Sequence, residues 1–146
     1  GVDRQKLSKA LLADPSRFKQ LERIVHPLVH RAERDFLVAE AERGAEMAVL
    51  EVPLLLEGGG DARVDVVVVV SAPAEAQRAR VLARPGMTAA KLDEILARQM
   101  PDAEKRARAD FVVDTGLTLA ETDAQVDKVV AAVRGRTGTA FRQHWA

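Results

Sequence analysis

The stretch Val64-Asp65-Val66-Val67-Val68-Val69-Val70-Ser71 decides the fold. It is apolar and β-branched without polar alternation, which is the pattern of a strand covered on both faces in a parallel sheet. Downstream, the Ser71-Ala72-Pro73 turn opens a helix through about Ala83, with Arg80 and Arg84 one turn apart. Pro85-Gly86 breaks the chain, and Thr88 caps a second helix through about Met100. Pro101 starts a short charged helix, Asp102–Ala107. A short strand, Phe111-Val112-Val113, then runs into Asp114-Thr115-Gly116, and an amphipathic helix over about Glu121–Val133 follows. From Gly135 the residues turn polar and small, and Phe141 to Ala146 reads as a frayed tail.

Upstream, Met47–Val52 reads as another strand, running into Pro53–Glu57 and a flexible loop, Gly58-Gly59-Gly60. The first third is helical. Asp3 caps a helix through about Ala13, and Asp14-Pro15 restarts the chain. A long amphipathic pattern then runs to Gly44, with a bend or break expected near His26 because Pro27 lacks a backbone donor. Three apolar strands alternating with helices give an α/β class with a parallel sheet, since parallel neighbours need crossover connections.

A chain of 146 residues is one domain by length. Lys plus Arg and Asp plus Glu number 22 each, so any basic site must be local. There is no cysteine, which rules out disulfides and thiolate metal sites. The apolar run Val66–Val70 is far too short to span a bilayer. The opening Gly1-Val2-Asp3-Arg4 lacks both a signal-peptide pattern and an initiator methionine, so the N-terminus is expected to be processed or cut.

Several groupings could carry chemistry. Arg80 and Arg84 share a helix face just after a buried strand, where α/β folds bind ligands; a guanidinium offers a planar fork to phosphate oxygens and stacks on a purine. A solvated helix face would show the same spacing. Arg98-Gln99 closes the next helix, where a cation also favours the helix dipole. His26-Pro27 sits at the expected break as a ligand donor or a structural histidine. His30 is one turn on, but no third ligand completes a metal site. Pro53-Leu54-Leu55-Leu56-Glu57 follows a strand end, as a ligand-facing segment or as an apolar plug with a surface Glu57. Gly58-Gly59-Gly60 is not a phosphate loop, because it lacks the Gly-Lys-Ser/Thr ending and does not open directly into a helix.

Together, the ordered series Asp3-Arg4-Gln5-Lys6-Leu7, Leu21–Pro27, Val52–Glu57, Ala76-Gln77, Arg80, Arg84, Met87-Thr88, Ile95–Gln99 and Ala109–Asp114 resembles the dephospho-coenzyme A kinase family over about Gly1 to Val133. The resemblance implies transfer of the ATP γ-phosphoryl, with Mg²⁺, to the ribose 3′-hydroxyl of dephospho-coenzyme A, the last step of coenzyme A synthesis. The chain's partners would be these two small molecules, with neither nucleic acid nor membrane; the absence of cysteine fits a cytoplasmic protein, and oligomeric state stays open. The implied fold is P-loop NTPase-like, of the nucleoside monophosphate kinase kind. Residues 3–44 would form a helical substrate part, 45–83 and 109–134 the α/β core, 84–108 a lid, and 135–146 a flexible tail.

By resemblance, Arg80, Arg84, Thr115 and Gly116 would meet the nucleotide, with Arg84 a phosphate stabiliser. His26, Pro27, Pro53, Leu54, Leu55 and Glu57 would line the dephospho-coenzyme A site, and Arg98 would reach a phosphate when the lid closes. No metal-ligating residue is implied. Glu51 stands where the family often has Asp, and Thr115 where an Asn is common. The family's opening strand, Gly-Lys-Ser/Thr loop and acidic motif have no counterpart here. The chain therefore resembles a C-terminal portion lacking the P-loop segment, with negligible activity expected on its own. A slot of roughly 10 Å is expected between the strands at 47–52 and 64–70, since neighbouring strands lie about 4.8 Å apart. Another nucleotide kinase of the same fold, or a non-catalytic coenzyme A-binding or interaction module, are the alternative readings.

Overall fold

Two short parallel strands organise the larger part of the chain in a computed structural model that describes all 146 residues. β1 (Val68–Ser71) pairs with β2 (Phe111–Asp114), Val68 opposite Phe111 and Ser71 opposite Asp114. The full order is α1 (Arg4–Ala13), α2 (Arg17–Glu42), a 3₁₀ turn (Gly60–Arg63), β1, α3 (Ala74–Leu82), α4 (Ala89–Ala97), α5 (Asp102–Arg108), β2, α6 (Leu119–Val133) and a π-turn (Phe141–Trp145). No helix is long and apolar enough to cross a membrane.

The chain divides into two compact units: residues 1–50 with 145–146, and residues 51–144. In the first unit, Asp3 caps α1 by accepting from the Gln5 and Lys6 amides. α2 continues through Pro27, so the helix does not break there. The proline removes one backbone donor, and the turns on either side of it carry the cooperative helix across. Gly44, at φ +77°, takes the left-handed conformation that ends it.

The strand expected at 47–52 is absent, because no segment pairs with it. β1 has one neighbour, β2. The strand expected over 64–70 is likewise confined to 68–71. Asp110 closes the ladder below Val68: its carboxylate accepts the Val67 amide at 2.8 Å, and its own amide donates to the Val67 carbonyl at 2.9 Å. The unbroken valine run predicts two covered faces, yet burial alternates along β1. Val69 and Ser71 are buried, while Val70 is 67% exposed, so packing covers one face alone. The core on that side joins Leu56, Val67 and Val69 with Leu55, Val64, Met100 and Ala109.

Local signals set most helix ends. Thr88 caps α4 through the Lys91 amide, and a capping box of Thr118 with Glu121 starts α6 two residues before the expected position. α4 stops at Ala97 rather than Met100. The Met100 amide donates to the Glu57 carboxylate at 3.0 Å, and Pro101 has no N–H to continue the helix. The glycine loop is an ordered turn rather than a flexible one, since the Gly58, Gly59 and Gly60 amides donate to the carbonyls of Leu54, Leu56 and Leu55. One Asp65 carboxylate oxygen accepts from the Thr139 amide at 2.7 Å and the Ala140 amide at 2.9 Å. A Cβ on Gly138 would stand 2.3 Å from that carboxylate, so glycine permits the close approach.

α3 and α4 pack together, with Leu92 of α4 only 2% exposed. Leu92→Ala is expected to lower unfolding free energy by about 2–4 kcal/mol. Urea denaturation checks this, and a loss below about 1 kcal/mol would show that Leu92 is not a core anchor.

Candidate functional site

β1 and β2 run in the same direction, so Ser71 and Asp114 end together at one rim of the sheet. Open α/β sheets take ligands beyond such strand ends. The turn after β2 is tied to the end of β1: the Thr115 amide donates to the Ser71 carbonyl at 2.8 Å, and its hydroxyl to the same oxygen at 3.1 Å. The Arg80 guanidinium reaches over from α3 and donates to the Thr115 carbonyl at 2.8 Å. The Gly116 amide donates to the Asp114 carboxylate at 2.7 Å. Gly116 has no room for a side chain, since a Cβ there would lie 2.5 Å from the Pro73 ring.

Two shallow cavities open on this rim. One, of about 220 Å³, is lined by Ser71, Gln77, Arg80, Arg84, Asp102 and Thr115, among others. The second, of about 320 Å³, includes Pro73, Arg106, Val112 and Asp114 and shares Ser71, Gln77 and Asp102 with the first. The buried Ser71 hydroxyl donates to the Asp102 carboxylate, 2.9 Å from each oxygen, so Asp102 is anchored where the two cavities meet. Arg84 and Arg106 can receive an anion, while Pro73 and Val112 offer apolar surface to a ring.

The candidates taken from the sequence fare unequally. Arg80, Arg84 and Thr115 come together at one cavity, with Gly116 in the adjoining turn. Thr115 is tied by its hydroxyl to Ser71 and by its carbonyl to Arg80, which makes it a brace for the turn. Pro53 and Leu54 are exposed, and Leu55 packs on the core. Glu57 is no exposed ligand group: it accepts from the Met100 amide and from Lys105 at 3.1 Å. Arg98 stands at the C-terminus of α4 and lines neither cavity. His26 and Pro27 are exposed on α2 in the first unit.

Ser71, Asp102, Arg106 and Gln125 escaped the sequence reading as site residues. Asp102 follows Pro101 and reads as an ordinary helix-start acid; Arg106 is one turn further along the same helix. No group of three or more His, Cys, Asp or Glu is placed to hold a metal ion. A nucleotide's Mg²⁺ rests largely on phosphate oxygens and water.

Burial pushes the Glu57 carboxyl up. Hydrogen bonds from backbone amides, its own and that of Met100, together with the Lys105 ammonium, more than reverse this and hold it below the usual carboxylate range. Its other oxygen is buried without a partner.

The fold and rim define an α/β protein of the P-loop NTPase-like, nucleotide-kinase kind. The solved crystal structure of TT1252 from Thermus thermophilus is 36% identical, superposes with a TM-score of 0.65, and covers 91% of this chain and 68% of its own. The family model described as dephospho-CoA kinase matches residues 1–121, and the chain belongs to that family of phosphotransferases. It is 54% identical over 135 residues to a dephospho-CoA kinase of Rhizobium etli, covering 92% of this chain and 66% of the relative. It is 55% identical over 139 residues to one of Mesorhizobium japonicum, covering 94% and 70%. With one of Brucella melitensis it is 51% identical over 142 residues, covering 97% and 70%. The chain thus spans about two thirds of the length of these curated relatives.

A carboxyl held low in the folded state adds stability above its unfolded value, and that stability is lost as pH falls through the folded value. Glu57→Gln is expected to be less stable than the parent at pH 7. The gap should narrow as pH drops below the ordinary glutamate value of 4.5. Denaturation curves from pH 7 to pH 3 check this; a gap that stays constant with pH would show that the Glu57 charge contributes nothing.

Proposed function

We propose that this chain carries the nucleotide-rim, substrate and lid parts of a dephospho-coenzyme A kinase. The observation that supports it most is the convergence of Arg80, Arg84 and Thr115 beyond two parallel strand ends, in a member of that family. The reaction breaks the bond between the γ-phosphorus of ATP and its bridging oxygen. It forms a bond to the ribose 3′-oxygen of dephospho-coenzyme A, whose hydroxyl proton is lost. Such transfers depend mainly on positioning and on stabilising charge.

In this reading, the turn at Thr115-Gly116 receives the adenine of ATP. Arg84 meets its phosphates, and Arg80 holds the turn while presenting its guanidinium face to the nucleotide. Arg98 adds a phosphate contact from residues 84–108 as these close over the ligands. Pro53–Leu55 line the dephospho-coenzyme A side. Glu57 serves that side indirectly, because its bonds to Met100 and Lys105 tie the 53–57 segment to the start of α5. Mg²⁺ would enter with ATP. We assign the cytoplasm as the place where this ATP-dependent step occurs.

The 146 residues contain no Gly-Lys-Ser/Thr loop. Without loop amides and a lysine around the β- and γ-phosphates, turnover by this chain alone is expected to be at least about a thousandfold below that of the Rhizobium etli relative. Comparable turnover in a coupled ADP-release assay would overturn that expectation.

Calorimetry tests the binding assignment. Arg84→Ala is expected to weaken ATP binding about tenfold while changing dephospho-coenzyme A binding less than about twofold. Unchanged ATP affinity would remove Arg84 from the site. Nucleoside monophosphates displacing dephospho-coenzyme A with equal strength would favour a different nucleotide kinase.

A further inference from the structure

A residue of α6, Gln125, holds the end of β2 from the side away from β1. Asp114 ends β2, and the next residue, Thr115, directs its amide to β1. Polar groups of successive strand residues point to opposite sides, so the Asp114 amide and carbonyl face away from β1, toward an edge with no third strand. Gln125 meets both. Its Oε1 accepts the Asp114 amide at 2.9 Å, and its Nε2 donates to the Asp114 carbonyl at 2.9 Å. The side-chain amide thus stands where a neighbouring strand's peptide group would stand.

The orientation of that amide is determined by its partners. Nε2 also donates to the Glu121 carbonyl at 3.3 Å, so both of its hydrogens meet carbonyl oxygens, and a flipped amide would lose all three bonds. α6 is itself registered one turn earlier by the capping box of Thr118 and Glu121. Asp114 is therefore fixed through its backbone, which leaves its carboxylate placed to take the Gly116 amide at 2.7 Å. The turn is held on one side by Ser71 and Arg80 and on the other by Gln125.

We infer that Gln125 is a positioning residue for nucleotide binding: it sets the Asp114-Thr115-Gly116 turn that receives ATP without touching the ligand itself. The inference rests on the nucleotide assignment proposed above. A side chain that merely stabilised the fold would affect both substrates alike, whereas one that positions this turn affects ATP selectively.

The test compares Gln125→Leu, which loses both bonds, with Gln125→Glu, which keeps an acceptor for the amide but sets a carboxylate against the Asp114 carbonyl. ATP affinity by calorimetry is expected to fall about five- to thirtyfold in both variants, with dephospho-coenzyme A affinity within about twofold of the parent. Amide hydrogen exchange at Thr115 and Gly116 is expected to speed by about tenfold or more, with Val112 unchanged. Faster exchange with undiminished ATP affinity, or equal loss of both ligands, overturns the role of Gln125 and leaves the nucleotide assignment standing. A parent protein that binds dephospho-coenzyme A but not ATP overturns both. Should Gln125→Leu fail to fold, Gln125→Glu and the shorter Gln125→Asn carry the same comparison.

Discussion

The four-residue ladder between Val68–Ser71 and Phe111–Asp114 is the constraint on which the site depends. Because the two strands are parallel, their carboxyl ends coincide, and the segments leaving them, Ala72-Pro73 and Thr115-Gly116, emerge side by side. The close approach of Gly116 to Pro73 is a direct consequence, and so is the reach of Arg80 from the helix after β1 to the turn after β2. An antiparallel pair would put those two exits at opposite ends of the sheet, and no single cavity could collect Arg80, Arg84 and Thr115.

So short a ladder carries little of its own stability, and the 51–144 unit fastens its loops with carboxylates. Asp110 takes the Val67 amide, Glu57 the Met100 amide and Lys105, Asp102 the Ser71 hydroxyl, and Asp65 the amides of Thr139 and Ala140. Each joins segments far apart in the chain through a charge-assisted bond, stronger than a bond between neutral groups. The half-buried Glu57–Lys105 pair has wider reach than its neighbours. With the Met100 amide, it ties the segment after Val52 to α5, which carries Asp102 and Arg106.

Membership of the dephospho-CoA kinase family gives this geometry its meaning. A phosphotransferase needs cations that can follow a charged nucleotide, and it needs a rigid surface against which the base is held. Arg84 and Arg106 line the two cavities, whereas Thr115, Gly116 and Asp114 are committed to hydrogen bonds that keep the turn in one place. Gln125 extends that second group onto α6.

Features governed by near neighbours in the chain were legible from the amino acids alone. The caps at Asp3 and Thr88, the helix started by Pro101, the shared face of Arg80 and Arg84, the α/β class and the family all follow from local spacing and ordered motifs. The capping box at Thr118 and Glu121 was readable too, and would have given the true start of α6. Tertiary structure alone decided the rest. An apolar run such as 47–52 becomes a strand only if a partner lies beside it, and none does. The valines of β1 are alike in sequence, but packing covers only one side of them. Glu57 finds Met100 across 43 residues, and Asp65 finds Thr139 across 74, by the meeting of loops whose positions no periodicity encodes. Helix and turn signals act within a few residues, whereas pairing, burial and these carboxylate contacts depend on which segments meet in space.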